Sequence, residues 1–363
     1  MFGAFSALTK PMPAPTNVGG QAVLEGVMMR AASGLAVAVR RQNGEIIVKD
    51  RTFVSIAEKV PFFKIPGLRG IVVLIETLCA GYAALGFSAE QAELGEKEQE
   101  RAQAKASGDG AADSQAGKEE ANKESSSLGT TLAMIFAIAL GIGLFVALPH
   151  GLTMLVGWWL GGLALKSLAF HLVAGGFKLA IFVAYLSLLS MIPDIRRVFM
   201  YHGSEHKVIA TYEAGDPLDV EHARKYTTFH ARCGTSFLLV VVVVAILLFA
   251  VVFPLIPWLG EGWTSHFAAV LIKIPLLLPV AGFAYELNRW ASKHLNNRWV
   301  RALVSPGFLM QRLTTREPTD EMLEVSISSL KAAIARDKVK EEKAEPENVV
   351  VYRDFADVCS RLV

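Results

Sequence analysis

The sequence predicts a mostly α-helical, polytopic membrane protein: about four transmembrane helices, a small N-terminal cytoplasmic β-rich module and a C-terminal amphipathic helix. Three observations predict it. Of 363 residues, 52% are hydrophobic and 19% charged, and the apolar ones gather in blocks long enough to cross roughly 30 Å of hydrocarbon at about 1.5 Å per residue. A net charge of +2 is uninformative, but the Lys and Arg residues fall almost wholly on one side of those blocks. Ahead of the blocks, β-branched runs flank Asn43-Gly44, a strong short-range hairpin signal.

In chain order, residues 1–66 are expected to form the β-rich module. The start has no basic stretch followed by an apolar core and a small-residue cleavage site, so no signal peptide is expected. "GGQAVLEGVMMR" reads as a tight turn entering a strand; its two glycines also suit a close approach of backbone to a ligand, with Glu25 and Arg30 following. Residues 67–89 are apolar but carry Glu76, an expensive group at bilayer depth, and are read as a helix packed on the membrane domain or lying in its interface. Residues 90–127 are charged, lack aromatics and read as a linker, helical at first and disordered later.

Residues 128–285 hold the membrane domain, with spans at about 128–149, 168–192, 236–258 and 266–285. Arg196, Arg197, Lys207, Arg224, Lys225 and Arg232 lie between the second and third spans, whereas the outer links offer little positive charge. The central loop, 193–235, and both termini are therefore expected in the cytoplasm. The link at 151–166 reads as interfacial or re-entrant, with Trp158 and Trp159 at headgroup depth. Residues 286–336 are expected to be a cytoplasmic helical region, with Leu323, Ile327, Leu330 and Ile334 at helical spacing. Residues 337–363 are expected to be a flexible tail. Cys79, Cys233 and Cys359 make no disulfide framework. No basic stripe with interleaved aromatics marks a nucleic-acid partner.

The chemistry concentrates in "FMYHGSEHKVIATYEAG", at 199–215. On a helix turning about 100° per residue, His202 and His206 share one stripe with Glu213, and Glu205 stands beside it. Two imidazoles at i and i+4 chelate a divalent ion, and in an H-x-x-E-H pattern the glutamate is a general base. A third ligand must come from elsewhere. "HARCGTSF" offers His230 and Cys233 where the loop returns to the membrane, Cys233 binding only as thiolate. The bland alternative is a chance pattern of juxtamembrane histidines serving as headgroup contacts or hydrogen-bonding groups, and Gly203 and Ser204 favour it by weakening the helix on which the metal reading depends. Arg312 and Arg316 in "SPGFLMQRLTTREP" suit phosphate or carboxylate, or simply a capped turn. Lys178 and Lys273 lie inside spans, where an ionisable group is a functional candidate by default.

"GGQAVLEGVMMR", "YHGSEHKVIATYE", "HARCGTSF" and "PGFLMQRLTTREP", in this order, resemble the YqhQ-like family of bacterial membrane proteins. The resemblance covers nearly the whole chain from residue 18 to 334 and implies a metal-dependent enzyme. It maps the motif onto His202, Glu205 and His206 and the second segment onto His230 and Cys233, with Glu25 and Arg30 in its N-terminal motif.

The leading expectation is an enzyme of the bacterial inner membrane, hydrolytic, with Glu205 catalytic. His202, His206 and His230 would hold a divalent metal, zinc by donor type, with Cys233 or Glu213 as a fourth ligand or the partner of a ligand. The substrate would be a membrane lipid or membrane-associated molecule, and a homo-oligomer is compatible with the sequence. The competing expectation is a non-catalytic transporter or assembly scaffold, in which the metal is structural or regulatory and Lys178, Lys273 and Glu76 line a solute path or hold the bundle together.

Overall fold

The computed structural model describes residues 18–106, 132, 135–230, 232–260, 262–338 and 347–362. Residues 1–17 of the expected module and 107–127 of the expected linker lie outside the described residues. In chain order the elements are β1 (Gly19–Val23), β2 (Gly26–Arg30), β3 (Gly34–Arg40), β4 (Ile46–Thr52), α1 (Ile56–Lys59) and α2 (Leu68–Ala106). Then come α3 (Ile135–Trp159), α4 (Leu168–Leu189), α5 (Pro193–Ala214), α6 (Val220–Arg224), α7 (Gly234–Val252) and α8 (Trp263–Lys293). The chain ends with α9 (Arg298–Thr314), α10 (Asp320–Lys338), β5 (Asn348–Tyr352) and α11 (Phe355–Arg361).

Among the described residues five helices are long and apolar enough to cross a membrane: Leu68–Glu100, Ile135–Trp159, Leu168–Leu189, Gly234–Leu255 and Trp263–Lys293. The chain is a membrane protein by this measure, with one such helix more than the sequence reading expected. The addition is α2. Its second half, rich in Glu, Gln, Lys and Ala, favours helix over linker. Glu76 within it is satisfied locally, accepting from the Ser55 hydroxyl at 2.7 Å and the Ile56 amide at 2.6 Å. The expected re-entrant link is also revised, because residues up to Trp159 continue α3, and the chain turns only at Gly161 and Gly162, both at positive φ.

The described chain divides into two compact units. The first comprises Met1–Gly95, Tyr185–Val241 and Ala281–Val363; the second comprises Glu96–Ala184 and Val242–Val280.

In the first unit the five strands form one antiparallel meander in the order β1-β2-β3-β4-β5. The β3–β4 hairpin turns at Asn43-Gly44, with Gly44 at φ 91°. The strands are apolar on both faces, so both must be covered. One face, with Val27, Met29, Ala38 and Val48, packs on Val208 and Ile209 of α5 and on Leu323, Ile327 and Leu330 of α10. The other, with Met28, Val37 and Ile47, packs on Ala80, Ala84 and Phe87 of α2. The α10 helix sits close to the sheet because its buried positions include small serines, and the Ser329 hydroxyl donates to the Ala36 carbonyl at 3.0 Å.

This arrangement corrects two expected boundaries. The N-terminal β-rich segment does not close its own core, since α5 and α10 supply one covering layer. The expected flexible tail contributes β5, which pairs from Ile46↔Tyr352 to Asp50↔Asn348. Strand β5 is a β-branched run, and pairing it removes the exposed edge that β4 would otherwise present.

In the second unit Phe170, Phe249 and Phe253 surround His171. The Lys273 ammonium lies within 5.7 Å of the same three phenyl rings.

Candidate metal centre

The helix that carries the candidate site is well defined by its ends. Pro193 occupies the first turn, where its missing N–H costs nothing, and Asp194 faces the positive end of the dipole. Gly215, at φ 77°, ends α5 by donating to the carbonyls of Thr211 and Tyr212. The two residues that seemed to weaken it are positions of close approach. A side chain at Gly203 would run into the Arg316 carbonyl, and the Ser204 hydroxyl donates to Met322 O at 2.8 Å. Small residues here let the segment after α9 and the start of α10 lie against α5.

His202 and His206 face the same side, with ring centroids 4.5 Å apart. Each has its Nδ1 on a backbone carbonyl: His202 on Thr314 O at 2.8 Å and His206 on Thr228 O at 2.6 Å. Such a bond keeps a proton on Nδ1 and makes Nε2 the nitrogen that can face an ion, in His202 once its second proton, held toward Cys233, is lost. The His202 Nε2 meets the Cys233 sulfur at 3.2 Å. The His206 Nε2 is buried with no hydrogen-bond partner. Ligand atoms of His202, His206 and Cys233 all lie within 4.8 Å of one another, a span that metal–ligand bonds of about 2.0–2.3 Å can close. The donor set therefore fits a divalent ion: two imidazoles presented by Nε2, and a thiol.

The electrostatics suit the same conclusion. Burial alone would raise the Cys233 thiol, but His202 and His206 outweigh it and hold the group well below the ordinary thiol range. Burial disfavours charge on His202, yet Cys233 and then Glu205 raise it to about 9. Glu205 is raised chiefly by burial, opposed by His202 and His206. Its carboxylate takes a hydrogen bond from the Gly20 backbone, and a Cβ on Gly20 would fall 2.9 Å from the Glu205 Cδ. Of the two glycines that open "GGQAVLEG", Gly20 thus allows close backbone approach, to a side chain of the protein itself, whereas Gly19 has nothing within 4 Å.

A family described as "Protein of unknown function (DUF1385)" matches residues 65–336 of this chain. The chain belongs to this family. A relative, described as "Uncharacterized protein YqhQ" of Bacillus subtilis (strain 168), is 31% identical over 343 residues, covering 93% of this chain and 98% of its own. No solved structure matches. The family match takes in α5, the Cys233 segment, α9 and α10 up to Arg336, so every side chain of the cluster lies within it.

The third donor that geometry selects is Cys233 in place of His230. His230 stands beside the cluster, its ring centroid 5.6 Å from that of His206, but its Nε2 is 3.2 Å from the Glu213 carboxylate. Burial lowers the His230 pKa, and Glu213 opposes the shift. Glu213 is also paired with Arg232, while Gln311 clamps the His230 backbone by accepting from its N–H at 2.9 Å and donating to its carbonyl at 2.7 Å.

The remaining candidates are not among the three clustered donors. Glu25, at the β1–β2 turn with φ 50°, accepts two bonds of 2.6 Å from Arg197 and one from Tyr201 at 3.3 Å. The Arg30 guanidinium lies 4.1 Å over the Phe53 ring. Arg312 is exposed, and the Arg316 amide donates to Phe199 O at 2.9 Å. Thr314, Thr228 and Gln311 were not foreseen, because two of them act through carbonyls and only the fold brings these to α5.

Proposed function

We propose that this protein is a metal-dependent membrane enzyme, hydrolytic in type, with His202, His206 and Cys233 holding a divalent ion and Glu205 acting as general base. The observation that carries the reading is the buried His206 Nε2 without a partner, in a cluster whose Nδ1 atoms are both fixed by carbonyls. Zinc suits the mixed imidazole and thiolate set, and three protein donors is the number that catalytic zinc sites use. When bound, the ion would supply Lewis acidity toward an oxygen of the substrate or of water.

The protein groups do the rest. Thr314 and Thr228 fix the tautomers of the two histidines. Burial holds Glu205 with a raised affinity for protons, which suits a carboxylate that must take up a proton and release it. His230, Glu213 and Arg232 form a largely buried hydrogen-bonded group that keeps the Cys233 segment in place. Cys233 directly precedes a helix long and apolar enough to span a bilayer. A lipid-linked or membrane-associated substrate follows from that sequence position. With α2 lying against the sheet and the other four long apolar helices crossing, both ends of the chain share one face, and the charge pattern favours the cytoplasmic face of a bacterial inner membrane for the site and both termini.

The test is the metal content of the chain purified in detergent without a metal-binding tag. Near-stoichiometric zinc, manganese or iron is expected in the parent and is expected to be lost in His206→Ala and Cys233→Ser, with His230→Ala reduced but not empty. A folded parent that takes up no metal on reconstitution removes the enzyme reading in favour of a transporter or scaffold.

A further inference from the structure

The second unit contains a cluster that the metal reading does not use. Lys273 donates to His150 Nδ1 at 2.7 Å, and His150 Nε2 is 3.1 Å from His266 Nδ1. A cavity of about 20 Å³ beside them is lined by His150, His171, Lys178 and Lys273, with Phe249 and Ile246 closing it. His171 is 2% exposed, and neither of its ring nitrogens has a hydrogen-bond partner. Lys178 has its ammonium 5.6 Å from the Phe249 ring centroid.

These groups bring positive charge and donors together without a carboxylate. The sequence has no Asp or Glu from residue 132 to 192, from 234 to 260 or from 262 to 284. An ammonium within an apolar span needs a partner of opposite sign, or the cost of removing it from water goes uncompensated. Contact with aromatic faces offsets only a part of this cost. His150 offers Lys273 a lone pair but no charge. The cavity exceeds the roughly 10–15 Å³ that one water-sized species needs, and it is far too small for a lipid headgroup or a phosphate ester.

From this geometry we infer that the Lys178–Lys273 cavity is a binding site for a small monovalent anion of halide size. The two ammonium groups supply the countercharge, and a ring N–H of His171 donates the hydrogen bond that it lacks within the protein. This site is independent of the His202–His206–Cys233 cluster and does not rest on the enzyme reading.

The test uses the full chain in detergent, exchanged into sodium gluconate and titrated with radiolabelled chloride at constant ionic strength. Thermal unfolding is followed in parallel. Saturable binding near one chloride per chain is expected, with an unfolding midpoint that rises with chloride and not with gluconate. Lys178→Met and Lys273→Met are each expected to weaken binding at least tenfold, whereas Lys166→Met, which lies outside the cavity, binds as the parent does. Should a lysine variant fail to fold, His171→Leu replaces it with the same expectation. No saturable binding in the folded parent means that the cavity holds only water and overturns the inference. Parental affinity in the folded cavity variants overturns it equally.

Discussion

At the scale of single residues, the charge on His202 can be tested without metal. Its folded pKa, about 9, lies above the ordinary value of 6.5, burial being outweighed by Cys233 and then Glu205. A raised folded pKa means that the protonated form is favoured by folding. In metal-stripped protein this contribution is fully present below about pH 6.5 and is lost as pH rises through about 9. The stability difference between parent and His202→Gln should therefore shrink over that window in denaturant titrations, and a difference that grew with pH would contradict the pairing. Arg197→Ala is a contrasting case. The Arg197 and Glu25 side chains are 53% and 34% exposed, so the loss should be about 0–1 kcal/mol, with metal content unchanged.

At the scale of elements, the helix carrying the histidines was legible and its environment was not. Spacing alone put His202 and His206 on one stripe, because that follows from the helical repeat. The choice between His230 and Cys233 depends on where the fold sets the two side chains ahead of α7, and no periodicity governs that placement. Gly203 shows the same limit. Read along the helix it costs about 1 kcal/mol relative to Ala, whereas in the fold it makes room for the Arg316 carbonyl. Gly203→Ala should accordingly destabilise the first unit by about 1–3 kcal/mol through overpacking, against the gain that helix propensity alone predicts. Chemical denaturation monitored by circular dichroism separates the two signs. On α10, Ile327 is fully buried, and Ile327→Ala should cost about 2–5 kcal/mol.

At the scale of the whole molecule, the apolar blocks and the Asn43-Gly44 hairpin made a membrane protein with a β-rich part readable from composition and period. What stayed hidden was the partnership of distant segments. Strand β5 alternates no more clearly than many solvated stretches, and only its pairing with β4 identifies it. Similarly, the serines of α10 look polar in sequence yet are buried against the sheet. Deleting residues 347–362 should lower the unfolding midpoint and increase aggregation in size-exclusion chromatography, since β4 then offers an unpaired edge.

The pairing of β4 with β5 joins residues 46–52 to residues 348–352, and all five long apolar helices lie between them in the chain. During synthesis, the first four strands leave the ribosome well before their fifth partner exists. The sheet stays unfinished until β5 has followed the helices out, and its last seam closes only then. The nascent protein therefore carries a sticky strand through its longest assembly step. A chaperone that shields β4 until β5 is available would govern how much of it reaches the native state.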